Sequence, residues 1–545
     1  MTKLKKTETW LVCIVCLTVV FNIWTIVRQV HQSARYKFSG KVVQALDLIR
    51  NEYVDSISLQ QIEEDAIKGM LESLDPHSQY IPPSMLATVN EPIEGNFSGV
   101  GIQFNMMNDT VVIVSTVSGG PSEKAGILAG DRLISAAGKT LAGMKYESSD
   151  IVKILKGKTG TKITVSVLRK DAAGLLEFEL TRDRIPIPSV EASYMLRPPD
   201  IGYIKIASFS KTTFREFTQA LTQLKEAGMK ELVIDLRNNA GGLIEPAISI
   251  AELFLPEGTL LVYTEGINSP RWSYFSCPED TAYLGIGLAV LINENTASAS
   301  EILAGAIQDN DRGNIIGRRS FGKGLVQEQH TLSDGSALRI TVARYYTPSG
   351  RCIQKPYGNK DDYFDELNRR YRHGELMQAD STQFSDSLKF HTAKGKTVYG
   401  GGGIMPHLFV PADTGFFSDY YHQIMQKGLI MRFALEYSDR RRKALTAAND
   451  LLQQMKAITA DGVTEQFIRY AARQGVPYNA RNWALSGNVI ENLLNASILR
   501  NFSDNNAYYR IVNLHDTVIQ AYLNETATKT KKHLYSEEIH HLVKP

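Results

Sequence analysis

The sequence predicts a multidomain α/β protein with helical regions at both ends, and three observations carry that prediction. First, the apolar strands GYIKIASF, ELVIDL, LLVYTE and GLAVLINE alternate with amphipathic helices at about residues 213–227, 244–254 and 298–308, the pattern of an α/β layer around a buried sheet. Second, residues 93–184 hold the short strand-like runs VGIQF, TVVIVSTV, RLISAAG, KITVSVLR and LEFELTR, separated by Gly and Asp/Ser turn signals. Third, after about Gly403 the chain turns helical in period, over residues 416–455, 463–473 and 488–523.

Each region has its own logic. Trp10 to Val27 runs WLVCIVCLTVVFNIWTIV without a charge, behind Lys3, Lys5 and Lys6. Eighteen helical residues reach about 27 Å, close to the roughly 30 Å hydrocarbon core. No small-residue cleavage site follows at Arg28-Gln29-Val30-His31, so an uncleaved signal anchor is expected over a cleaved signal peptide. Apolar residues at helical spacing over 41–50 and a second helix over about 60–74 come next. Pro76, Pro82 and Pro83 then stop any helix. The strand-rich block also has two helical pieces, 121–127 and 147–155, and a Pro-rich connector at 185–189 joins it to the α/β layer. The run Arg440-Arg441-Arg442-Lys443 reads as a solvated helix face. The expected domains are residues 1–36 (basic region and anchor), 37–90 (helical), 91–184 (small β domain), 185–413 (α/β core) and 414–545 (helical extension).

Composition narrows the function. The 545 residues are 43% hydrophobic and 22% charged, ordinary values for chains with buried cores. Sixty basic against 58 acidic side chains leave +2, too balanced for a chain-wide nucleic-acid field. Of four cysteines, Cys13 and Cys16 lie in the apolar segment. Cys277 and Cys352 remain, as two spare thiols or, in an oxidising envelope, a disulfide. The 11 histidines are scattered without an HExxH, so no metal site is implied. SGVG at 98–101 and GGGG at 400–403 lack a P-loop lysine or a dinucleotide unit.

Two segments carry candidate chemistry. Strand GLAVLINE runs through Asn295-Thr296-Ala297-Ser298-Ala299-Ser300-Glu301 into the helix EILAGAIQ. Ser298 at that helix start has free backbone N–H groups beside it, at the positive end of the helix dipole. On local pattern alone, Ser298 reads as an N-cap, with Glu301 completing a capping box. Downstream, Lys323 lies between two glycines in Ser320-Phe321-Gly322-Lys323-Gly324-Leu325-Val326-Gln327. A lysine normally titrates near about 10.4. Bringing one near neutrality costs about 4 kcal/mol, which desolvation supplies, and the neutral amine can then deprotonate a serine. The Gln327 amide stands four residues on, placed to orient that amine.

ENTASASEILAGAIQDNDRGNIIGRRSFGKGLVQ resembles the active-site region of the carboxyl-terminal processing (tail-specific) family of serine proteases. The 25-residue step from Ser298 to Lys323, with Gln327 four further on, matches that family's arrangement, as do GYIKIASF, ELVIDLRNNAGGL, LSDGSALRITVARYYTPSGRCIQ and AIKGMLESLDPHSQYIPP. The resemblance implies a crotonase/ClpP-like α/β core, Ser298 as nucleophile, Lys323 as general base and Gln327 as its positioner. It implies an oxyanion hole from the N–H of Ala299 and of Gly242 (or Gly241), and no metal or organic cofactor. One departure stands out: Met405-Pro406-His407 follows GGGGI where relatives often carry an acidic residue.

The β domain resembles a PDZ domain in circularly permuted form, inserted before the core. Its carboxylate-binding loop and peptide strand correspond to Gly99, Val100, Gly101, Ile102, Gln103 and Phe104. Glycines there free N–H groups for a terminal carboxylate, and the following strand can accept a peptide as an added strand. Ile102 and Phe104 with Ile151 and Leu155 are expected to line an apolar pocket. The expected protein is a bacterial envelope endopeptidase, anchored in the inner membrane with its catalytic part in the periplasm, or secreted after signal cleavage. Its partners would be protein substrates with free C-termini, with a homodimer through the terminal helices and a regulatory adaptor left open. The rival reading is a noncatalytic peptide-binding scaffold or chaperone that kept the fold.

Overall fold

The computed structural model describes residues 40–170, 172–197, 200–358, 360–379, 385–448 and 450–527. The apolar segment 10–27 lies outside these. Among the described residues no helix is long and apolar enough to cross a membrane. The chain divides into two compact units, residues 1–80 and 81–545. In the first, helix α1 (Gly40–Glu52) has no buried residue, and α2 (Leu59–Glu72) begins at Ser58, whose side chain caps Gln61 N–H.

The second unit opens with helix α3 (Pro83–Glu94), where the sequence reading placed a stop. Pro82 is its N-cap and Pro83 its first helical residue, the position where a missing N–H costs nothing and the fixed φ is already helical. The β domain follows. Strand β1 (Asn96–Gly99) pairs antiparallel with the returning strand β7 (Asp183–Pro186) and closes the module at its stem. Between them lie β2 (Ile102–Met107), β3 (Thr110–Thr116), β4 (Arg132–Ala136), helix α4 (Ser148–Leu155), β5 (Lys162–Leu168) and β6 (Leu175–Thr181). The order β2-β3-β4-β5-β6 leaves β2 at an edge. Ile151 and Leu155 of α4 are buried in the module's core, and Ile102 and Phe104 pack half-buried against it.

The core sheet runs β8 (Val190–Arg197), β9 (Ile201–Ile206), β10 (Glu231–Asp235), β11 (Gly287–Ile292), β12 (Asn314–Gly317) and β15 (Leu408–Phe409) in spatial order. All neighbours from β9 onward are parallel. Alternation along each strand sends side chains to opposite faces. Leu232 and Ile234 join the core under helices α5 (Thr213–Glu226), α6 (Ile244–Glu252) and α7 (Ala299–Asp309). Val233, Ala289 and Leu291 point the other way, against Val518, Ile519 and Tyr522 of the helical stretch 517–527. The chain's last described helix therefore covers the back of the core sheet. A hairpin of β13 (Leu325–Thr331) and β14 (Ala337–Tyr346) stands in a second sheet.

Beyond the core, α8 (Asp419–Gln426), α9 (Leu429–Thr446), α10 (Leu451–Ala460), α11 (Val463–Arg473), α12 (Ala480–Arg500) and α13 (Asn505–Val512) share one apolar core that includes Phe433, Phe467, Leu494 and Ile511. The periodic run 488–523 is broken at Phe502-Ser503, because Asp504 caps α13 through Ala507 N–H at 3.0 Å. Many apolar side chains of these helices are thus taken up within the chain, while Met425, Met431, Leu452 and Leu485 stay exposed. The bundle reaches the β domain through the Arg132–Asp439 ion pair at 3.1 Å. Cys277 and Cys352 are free thiols, and His407 Nδ1 accepts the Ile315 N–H at 3.0 Å, fixing the loop that follows the GGGGI run.

Candidate active site

Three stretches meet because they follow the C-terminal ends of three adjacent parallel strands. Residues 236–242 follow β10, residues 293–301 follow β11, and residues 318–327 follow β12. Ligand sites of open α/β sheets form at such ends. Asn239 stitches the first stretch to the second: its carbonyl accepts Ala297 N–H and Ser300 Oγ, each at 3.0 Å.

Ser298 sits at φ +57°, ψ −119°, immediately before α7. A non-glycine residue in that region stores about 1–3 kcal/mol of strain and marks a place the surroundings over-determine. The surroundings here are explicit. Glu301, fully buried, accepts Ser298 N–H at 2.8 Å and Lys323 N–H at 2.9 Å on Oε2. Its Oε1 accepts Gly322 N–H at 2.7 Å and Ser320 Oγ at 2.5 Å. Burial pushes this carboxyl up to about 7, and those four hydrogen bonds oppose the shift without cancelling it. The buried Tyr345 hydroxyl lies 2.7 Å from Lys323 O and 3.1 Å from Ser298 O. Lys323 is half-buried, and its Nζ donates to Gln327 Oε1 at 3.0 Å, while Gln327 Nε2 is buried with no partner among the described residues.

The glycine turn closes the other side. A Cβ on Gly241 would stand 2.7 Å from Ser298 Cβ and 3.0 Å from Ala299 N, and its φ is +99°. Only glycine lets this backbone lie against the serine. The Gly241 N–H is already engaged, donating to Asn239 Oδ1 at 2.8 Å. Gly242, at φ +143°, lies so near Phe209 that a Cβ would meet its carbonyl oxygen at 2.0 Å.

Other members of the site were not legible as such. Glu301 reads in sequence only as the third residue of a capping box, and Tyr345 as one aromatic of a strand. Arg370 donates to the carbonyls of Arg319 and Ser320 at 2.7 and 3.1 Å, buttressing the lysine loop. The β-domain loop is held by its carbonyls: Val117 N–H donates to Gly101 O at 2.9 Å and Ser122 Oγ to Val100 O at 2.7 Å.

Fold and comparison with known proteins define a serine peptidase carrying a PDZ domain. Residues 200–363 match peptidase family S41 and residues 98–180 the PDZ domain. Residues 25–83 match the N-terminal domain of the activating protease CtpB, and 420–504 match a family of unknown function. The chain is 37% identical over 323 residues to a carboxy-terminal-processing protease of Bartonella bacilliformis, covering 58% of this chain and 73% of that one. It is 37% identical over 315 residues to a carboxyl-terminal-processing protease of Synechocystis, covering 56% and 72%. Against carboxy-terminal processing protease CtpA of Bacillus subtilis the identity is 35% over 316 residues, covering 58% of this chain and 66% of the relative. Among solved structures, the photosystem II D1 C-terminal processing protease aligns at 34% identity and a TM-score of 0.35, covering 56% of this chain and 82% of that one. The chain belongs to the carboxy-terminal processing proteases of family S41.

Proposed function

We propose that this chain is an endopeptidase that cuts near the C-termini of proteins with a Ser298–Lys323 dyad. The observation that carries the reading is the 3.0 Å bond from Lys323 Nζ to Gln327 Oε1, on a loop tied at Glu301 and Tyr345 to the Ser298 backbone. Ser298 Oγ attacks the peptide carbonyl and Lys323 takes its proton. The oxyanion is held by the N–H of Ala299 and of Gly242, the glycine whose neighbour's N–H is already spent on Asn239. Lys323 returns the proton to the leaving amine, and the acyl ester is hydrolysed by water.

Substrate selection falls to the PDZ domain. The loop Gly99-Val100-Gly101 receives the terminal carboxylate on its N–H groups, and edge strand β2, with Ile102, Gln103 and Phe104, takes the tail as an added strand. The apolar segment 10–27 tethers the enzyme to the bacterial inner membrane, with the catalytic part on the periplasmic side.

The test is cleavage of an unstructured protein with an apolar C-terminus, followed by mass spectrometry. Wild type should release C-terminal fragments, and Ser298→Ala and Lys323→Ala should release none while remaining folded. Binding without turnover by wild type, or full turnover by either variant, overturns the proposal in favour of a peptide-binding scaffold.

A further inference from the structure

Behind the glycine turn lies a buried charge cluster whose last member comes from the far end of the chain. Asp235, 1% exposed, closes β10 and accepts Tyr203 OH at 2.8 Å and Lys205 Nζ at 3.4 Å. It also accepts Arg237 Nε and Nη2, the latter at 2.7 Å. Burial works against the charge on Asp235, yet Arg237 and Lys205 outweigh it and hold the carboxyl well below its usual range. Lys205 Nζ also donates to the Arg237 carbonyl. Two cations then face one anion. The second anion is Asp516, whose Oδ2 accepts Arg237 Nη1 at 2.7 Å.

Asp516 uses its two oxygens differently. Oδ1 caps the helical stretch 517–527, accepting Val518 N–H and Ile519 N–H at 3.0 Å each, while Oδ2 faces Arg237. That stretch is the one packed on the back of the sheet. Asp516 lies outside the residues that match the peptidase family and beyond those that match the family of unknown function.

We propose that Asp516 is a positioning residue for the catalytic reaction, acting through Arg237 on the 236–242 turn. Without Asp516 the Arg237 guanidinium, 14% exposed, keeps Asp235 but loses its second carboxylate, and its freed Nη1 turns toward water. Arg237 leads directly into that turn: Leu236 O accepts Thr296 Oγ1 at 2.9 Å, and Asn238 N–H donates to Asn293 Oδ1 at 2.9 Å. Movement of Arg237 is therefore passed to the Gly241-Gly242 backbone and to the serine segment. This inference rests on the reaction proposed above and adds to it a part supplied by the C-terminal extension.

Asp516→Asn separates the two roles. The amide keeps an oxygen for the helix cap, a place where Asn serves well, and turns a donor toward Arg237. Asp516→Ser keeps a cap and simply deletes the carboxylate. In the full chain, kcat for an unstructured substrate should fall tenfold or more in Asp516→Asn and less steeply in Asp516→Ser. KM should stay within twofold and the thermal midpoint within a few degrees. The proposal is overturned if both variants keep kcat within twofold of wild type, or if lost activity merely tracks lost folded protein. Ser298→Ala in the same assay tells the two readings apart. Residual cleavage by that variant sinks the dyad, whereas a dead Ser298→Ala beside fully active Asp516 variants sinks only the role of Asp516.

Discussion

The backbones of Ser298 and Lys323 are tied to each other twice. Their N–H groups share Glu301 Oε2 at 2.8 and 2.9 Å, and their carbonyls share the Tyr345 hydroxyl at 3.1 and 2.7 Å. The spacing of these two residues, the proposed nucleophile and base, is thus set by main chain rather than by two free side chains, and long side chains are the part that rotamer entropy would blur.

Glu301→Gln tests this tie. The amide presents one oxygen and one NH2, so one pair of donors now faces another donor. Activity should fall at least tenfold in a folded variant. The pH dependence of stability has a definite sign. The native carboxyl holds its proton up to about 7, whereas the unfolded one releases it near 4.5. The native state binds more protons in that window, so wild-type stability falls as pH rises from 4.5 to about 7, by roughly 3 kcal/mol at most. Urea titrations across that range should show the slope in wild type and not in Glu301→Gln.

Gln327→Glu should move the pH–rate profile. A carboxylate beside Lys323 favours the ammonium, and the proposed base must be neutral to act. The acid limb of kcat/KM should shift upward by about one pH unit, with activity recovered at high pH. An unmoved limb would mean that Gln327 does not touch the titrating group.

Gly241→Ala should abolish turnover, because its Cβ would occupy space 2.7 Å from Ser298 Cβ. Gly119→Ala provides the comparison. Its φ is also positive, at +70°, but nothing among the described residues lies within 4 Å of its added Cβ, so it should lower the thermal midpoint slightly and leave kcat alone. Equal losses in both would make strain, not crowding, the cause.

Carboxylate capture by the PDZ loop predicts a KM effect. Amidating the substrate's C-terminus should raise KM about tenfold with kcat changed little, as should Ile102→Asp. A substrate whose KM ignores amidation would show that the loop at 99–101 reads something else.

What the sequence disclosed and what it hid divide along contact distance. Ser298, Lys323 and Gln327 stand out because they sit within short, ordered motifs, and α11 appears in the sequence as an apolar stripe from Val463 to Arg473. The break at Phe502-Ser503 could be missed because the apolar period continues on both sides of it. Glu301 looks like an ordinary helix-capping residue, since its bonds to Gly322 and Lys323 span 21 and 22 positions. Arg237 and Asp516, 279 positions apart, leave no local pattern at all. Helix α3 was obscured by a proline, which starts a helix as readily as it ends one.

That same separation bears on the order in which the protein is made. A chain emerging N-terminus first completes Lys205, Asp235, Arg237, Ser298 and Lys323 long before residue 516 leaves the ribosome. Until then the cluster behind the glycine turn carries an excess positive charge and the back of its sheet lies open to water. If Asp516 positions that turn as proposed, the site lacks its last support until the C-terminal extension has emerged.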